Sequence, residues 1–229
     1  MDSIDSPAHV VTASSHGAGT TRDRFRDLRS AGRELALKLA TYRGRDEVIV
    51  LAIALGGVPV AHEVSRALEA PLDLVIIRRL LAPPRPAPQV CAVNVAGTQI
   101  IDNDLPAQPA APVTGLDYFI KDALAGLAQR VQLCRGERPS INLKNKTILL
   151  VDCGINTGST MQASIRALRT LQPERIIAAA PVASPAGHDA TVEIADEVIC
   201  LAQPQPFGHV GLWYADFSRP GDDAVAELL

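Results

Sequence analysis

The segment with the clearest chemical content runs from Leu149 to Met161 and reads LLVDCGINTGSTM. An apolar run ends on an acid, Asp152, and passes into a loop of glycine and hydroxyl residues. Asn156, Thr157, Gly158, Ser159 and Thr160 can offer backbone N–H groups and hydroxyls at the start of a helix. That end carries roughly half a positive charge, so the expected ligand is an anion such as phosphate. Gly154 and Gly158 are expected to let the backbone curl around it without a Cβ in the way. The segment has neither the G-K-[ST] of a Walker A loop nor the G-x-G-x-x-G of a dinucleotide fingerprint. Cys153 has two readings. It is a small neutral residue standing where an acid could stand, or a thiolate favoured by the nearby helix dipole.

The elements around this loop must hold it at the edge of a sheet. TILLV (147–151) is a continuous apolar run, as suits a strand covered on both faces, and Met161, Ile165 and Leu168 recur at helical spacing after the loop. A second strand–turn–helix unit lies upstream. VIVLAIA (48–54) leads into Gly56-Gly57, Pro59 suits a first helical turn, and Val60, Val64 and Leu68 follow on one face. LDLVIIR (72–78) is the next buried strand, and with the preceding unit it makes a βαβ motif. Phe25, Leu28, Leu35, Leu39 and Tyr42 predict an earlier helix that Gly44 ends. APPRPAP (82–88) and 104–113 read as proline-rich loops, with two short β-like runs between them around Gly97. A long helix carrying Leu116, Ile120, Leu124, Leu127 and Val131 follows, and RIIAAAPVA (175–183) and EVICLA (197–202) are further strands. The alternation predicts an α/β fold with a mostly parallel sheet and helices on both faces. Residues 1–20 lack periodicity and read as a disordered tail, which leaves 21–229 as one domain.

Composition narrows the partners. A net charge of -3 argues against a nucleic-acid partner, which calls for a basic field. With aromatics at 3%, stacking platforms for single strands are few. The longest apolar run is too short for a membrane helix, and the N-terminus has no basic region followed by an apolar stretch, so a cytoplasmic protein is expected. The five histidines fall in no metal-ligand or triad spacing, and Cys91, Cys134, Cys153 and Cys200 form no C-x-x-C pair. Trp213-Tyr214 could touch a base, but packing of the C-terminal segment is the simpler reading.

An acid at a strand end followed by T-G-S-T resembles the ribose-phosphate loop of type I phosphoribosyltransferases. The likeness extends through FRDLRSAGRELALKLATYRGRDEVIVLAIALGGVPVAHEVSRALEAPLDLVIIRRL and FGHVGLWYADFSRPGDDAVAELL, which look like the two ends of a bacterial subgroup of that family. The resemblance implies that residues 154 and 156–160 take a 5-phosphate, while Asp152 accepts from ribose hydroxyls. It implies that Leu55, Gly56, Gly57 and Val58, with Arg78 and Arg79, face pyrophosphate, and that a small hood is built partly from 80–113. It further implies Mg²⁺ as cofactor, with no protein ligand assigned beyond Asp152 as a candidate, and Asp152 and Cys153 as the catalytic positions. The implied activity is transfer of a phosphoribosyl group from phosphoribosyl pyrophosphate to a nitrogen base, in the glycosyltransferase class. The implied partners are that donor with a nucleobase or nucleotide; a homo-oligomer is compatible with all of this. The sequence departs from the subgroup at three places: Leu55 replaces an Arg, Cys153 a second acid, and Gln89 a Glu. All three remove charge from a site whose work is electrostatic. They support an alternative reading as a ribose-phosphate- or nucleotide-binding sensor on the same scaffold.

Overall fold

The computed structural model describes residues 24–53, 55–81, 89–95, 98–103 and 116–229. The tail expected over 1–20 and the loops expected over 82–88 and 104–113 lie outside them. Seven strands form one sheet in the order β4-β3-β2-β1-β5-β6-β7. These are β1 Val48–Ile53, β2 Leu72–Leu81, β3 Gln89–Val95, β4 Thr98–Asn103, β5 Thr147–Val151, β6 Arg175–Val182 and β7 Glu197–Ala202. β2, β1, β5, β6 and β7 run parallel. β3 and β4 add an antiparallel hairpin beyond β2, so the described part of the expected hood continues the main sheet.

The central apolar strands β1 and β5 are buried along their whole length because each side chain enters a core on one face of the sheet or the other. Along β1, Val48, Val50 and Ala52 enter one core while Ile49, Leu51 and Ile53 enter the other. β5 repeats the division with Leu149 and Val151 against Ile148 and Leu150, as the period of two requires. The first core is covered by α1 (Leu28–Lys38), α2 (Val58–Leu68), α3 (Leu116–Arg135) and α6 (Asp222–Leu228). The second lies under α4 (Ser159–Arg169), whose Met161, Ile165 and Leu168 are buried as their spacing predicts. α5 (Pro185–Val192) packs beside α4.

Two local signals set boundaries that the apolar pattern alone left loose. Asp27 caps α1 in a reciprocal capping box with Ser30, so the helix begins at Leu28 instead of Phe25. The expected helix also tightens into a 3₁₀ turn at Ala40–Tyr42 before Gly44. A buried bidentate pair links the end of α3 to the start of β2, with Arg135 donating to both oxygens of Asp73 at 2.8 and 2.9 Å.

Candidate active site

Ligands of open α/β sheets bind beyond the carboxyl ends of the strands, and a cavity of about 410 Å³ opens there. Its wall is formed by Ile53 at the end of β1, Gly56, Ile77 of β2, residues 152–161, Val210 and Arg219. The segment singled out from its residue types is therefore brought together as one surface. Gly158 is the residue before α4 and has φ 78°. Thr157 and Ser159 lie 2.9 Å apart through their hydroxyls. The N–H groups of the first turn of α4 head the helix at this wall, where an anion is stabilised.

The loop is held from below by α5. Ile155 donates to Val182 at 2.9 Å, and Ser184 donates back to the Ile155 carbonyl at 2.8 Å. The Ser184 hydroxyl caps α5 by accepting from the Gly187 N–H and donates to the Asn156 carbonyl. This framework adds to the role read for the glycines. A Cβ on Gly158 would come within 2.9 Å of the Gly187 carbonyl, on the α5 side. Gly154 is bare because Val210 and Val182 press on it, at 2.6 Å and 3.1 Å from the position its Cβ would take. Both glycines line the cavity and also let the loop fit closely against its neighbours.

Asp152 sits half-buried at the end of β5 and accepts from the Cys153 N–H at 2.7 Å. Burial pushes its carboxyl up to about 6, against the pull of that N–H and of the Arg219 guanidinium. Cys153 is 5% exposed. Burial, followed by the adjacent carboxylate, pushes its thiol well above the usual range, so the surroundings favour the neutral small residue over the thiolate. Its carbonyl accepts from the buried Tyr214 hydroxyl at 2.6 Å.

The positions read for pyrophosphate separate in space. Of the turn residues, Gly56 lines the cavity, while the Gly57 and Val58 N–H groups donate inward to the Ile53 and Leu55 carbonyls. A Cβ on Gly57 would lie 2.5 Å from the Ile53 carbonyl and 2.8 Å from that of Val151, so only glycine lets α2 approach β5 this closely. Leu55 has φ 25° and packs against the first core. Arg78 turns to α3, donating to the Asp122 carboxylate at 2.9 Å and stacking over Gly126, because alternation puts it on the face opposite Ile77. Gln89 opens β3 opposite Leu81; its side chain and that of Arg79 lie outside the described residues.

Arg219 is the side chain that sequence reasoning missed. It belongs to the C-terminal segment, which is tied to the site by Tyr214 and by an aromatic ladder. Ring centroids are 5.5 Å apart for Phe25–Tyr214 and 5.1 Å for Tyr214–Phe217, and the guanidinium lies 5.0 Å over the Phe217 ring. Only the aromatics preceding it hinted at a packed segment. Trp213 donates its indole N–H to the Phe207 carbonyl at 3.0 Å, in line with the packing reading.

No trio of His, Cys, Asp and Glu among the described residues could hold a metal by itself. Asp152 is the one carboxylate among the described residues of the cavity wall. That donor set fits a magnesium ion carried mainly by substrate oxygens, with one protein carboxylate at its edge.

Comparison with known proteins places this arrangement in a class. The chain matches the phosphoribosyl transferase domain family over residues 23–215. Two Mycobacterium tuberculosis proteins, from strains CDC 1551 and H37Rv, are each 34% identical over 209 residues; both bear the name Putative phosphoribosyl transferase. The alignment covers 90% of this chain and 46% of each of theirs, so the chain spans about half the length of the curated relatives it matches. The crystal structure of TT1426 from Thermus thermophilus superposes with a TM-score of 0.71 at 33% identity, over 90% of this chain and 97% of that one. This chain belongs to the type I phosphoribosyltransferase family. No described helix is long and apolar enough to cross a membrane.

Proposed function

We propose that the cavity binds phosphoribosyl pyrophosphate and that the chain transfers the phosphoribosyl group to a nitrogen base. The observation that carries this is the single surface formed by the first turn of α4, the Thr157 and Ser159 hydroxyls and the Asp152 carboxylate. It offers donors for a 5-phosphate beside an acceptor for ribose hydroxyls. In the reaction the bond from the anomeric carbon to the diphosphate oxygen breaks, its electron pair leaving with the diphosphate. A base nitrogen then bonds to that carbon, and the proton it loses passes to solvent or the leaving group. The chain's part is to orient the ribose and to meet charge as it develops. Asp152 would hold a magnesium ion at its edge, and the ion would neutralise charge on the departing diphosphate.

Leu55 and Cys153 give a second reading weight. The turn that faces the cavity puts an apolar side chain into the core where a cation could stand, and the residue after Asp152 is a neutral thiol. Both features suit a ribose-phosphate- or nucleotide-binding sensor that does not turn over. Pyrophosphate release from phosphoribosyl pyrophosphate with Mg²⁺, screened across purine and pyrimidine bases, separates the two. Base-dependent release supports the transferase. Tight binding of the donor with no release across the screen supports the sensor.

A further inference from the structure

Resting on the proposal that the Asp152 carboxylate accepts from the ribose of the donor, we infer that Tyr214 is a positioning residue for that carboxylate, acting through the Cys153 backbone. β5 ends at Val151, and the Asp152 N–H still donates to the Ala179 carbonyl of β6 at 3.1 Å. The chain meets β6 again at Ile155, whose N–H donates to the Val182 carbonyl at 2.9 Å. In between, Cys153 is held by side chains. Its N–H donates to the Asp152 carboxylate at 2.7 Å, and its carbonyl accepts from the Tyr214 hydroxyl at 2.6 Å. Its sulfur is packed against the β1–α2 turn, 3.2 Å from the place a Cβ on Gly56 would occupy. The N–H that orients the carboxylate and the carbonyl that Tyr214 holds are separated by one Cα, so rotation at Cys153 shifts both.

Tyr214 is itself fixed in place. It is buried in the first core, with its ring between those of Phe25 and Phe217. The Phe25 N–H donates to the Trp213 carbonyl at 2.9 Å, and the Ala215 N–H donates to the Phe25 carbonyl at 2.8 Å. The residues on either side of Tyr214 are thus bonded to one strand-like neighbour. A phenol packed on two faces presents its hydroxyl in one direction, and without that hydroxyl the Cys153 carbonyl would lose its partner inside the protein. The phosphate half of the cavity has a different support. Ile155 and Asn156 are tied to β6 and to Ser184 at the head of α5, and the first turn of α4 follows from there. Phosphate and ribose recognition are therefore held by separate elements, α5 under the first and Tyr214 behind the second.

The test is calorimetry on the full chain with ribose 5-phosphate and with inorganic phosphate. For Tyr214→Phe, which removes the hydroxyl and keeps the ring, we expect the affinity for ribose 5-phosphate to fall about fivefold or more, while that for phosphate stays within about twofold. In an Asp152→Ala background the same change should alter ribose 5-phosphate affinity by less than about twofold, because the group it positions is already gone. A tyrosine that only supports the fold would weaken both ligands alike and in both backgrounds. Equal losses for the two ligands, no loss, or losses that multiply in the double variant overturn the role of Tyr214 and leave the phosphoribosyl site standing. Retained phosphate binding also reports that the variant is folded. Should Tyr214→Phe not fold, Phe25→Leu frees the ring on one side, keeps the hydroxyl, and is read with the same two ligands and the same outcomes. If wild type does not bind ribose 5-phosphate more tightly than phosphate, the reading of the site itself fails, and this inference fails with it.

Discussion

Asp152 and Cys153 are neighbours in one environment, and it acts on them in the same direction. Asp152 ionises in the folded chain near about 6, above the ordinary 3.8. A native group that holds its proton more tightly than the unfolded one loses stability as pH rises through that interval. The cost is absent below about pH 4 and fully present above about pH 6. Asp152→Asn removes it while keeping an oxygen to accept the Cys153 N–H. The variant should therefore be more stable than the parent at pH 7.5, by ~1–2 kcal/mol after allowing for the half-exposed position, and melt level with it at pH 4. Thermal melts at the two pH values check this. The buried, neutral thiol makes a separate prediction. Site-resolved alkylation by iodoacetamide at pH 8 should leave Cys153 unmodified in the native chain and modify it in denaturant. The acid at the strand end and the T-G-S-T hydroxyls were legible from residue types because their chemistry is local. The fate of Leu55 and Arg78 was not, since each was decided by which face of its element met a core or a helix.

The loop before α4 is an element whose geometry is enforced by its neighbour. Gly158 needs a positive φ, and its bare face meets the Gly187 carbonyl at 2.9 Å from a built Cβ. Gly158→Ala should cost ~1–3 kcal/mol through left-handed backbone and contact with α5. Denaturant unfolding measures this, and ligand affinity should fall as a consequence of the displaced loop. The far side of the sheet supplies a contrasting case. Asp73 and Arg135 are both buried and bond in a bidentate pair. Asp73→Ala leaves a charge buried without its partner and should destabilise the fold by ~3–5 kcal/mol, also read by denaturant unfolding, with ribose 5-phosphate affinity preserved in the molecules that remain folded. Strand positions were legible because apolar runs of five to ten residues mark buried strands. The α6 helix over Asp222–Leu228 was not read, since seven residues with a single fully buried side chain, Val225, give too little periodicity. The packing of α5 under the loop was equally silent, because it depends on long-range contacts such as the Ser184 hydroxyl reaching the Asn156 carbonyl and Gln162 reaching the Ala190 carbonyl.

At the scale of the molecule, the sheet brings distant segments to one rim. β1 and β5 lie side by side, so Gly56 and Asp152 meet although about a hundred residues separate them. The C-terminal segment then returns to the start of the described chain, where Phe25 and Tyr214 pair, and closes the cavity with Arg219. Alternating strands and helices made the parallel sheet legible, and they located the rim where a ligand belongs. They carried no information on how the C-terminal segment would fold back, because that closure rests on ring stacking, on backbone hydrogen bonds to Phe25 and Arg26, and on the Tyr214 hydroxyl. The central claim is that the first turn of α4 and Asp152 together recognise a phosphorylated ribose. Backbone amide NMR during titration with ribose 5-phosphate, with ribose and inorganic phosphate as separate controls, tests it most directly. The account predicts saturable shifts centred on Thr157, Gly158, Ser159, Thr160 and Met161 with ribose 5-phosphate. Phosphate alone should reproduce them more weakly and ribose alone should not. Saturable shifts confined to another part of the chain, or none at millimolar ligand, would contradict it.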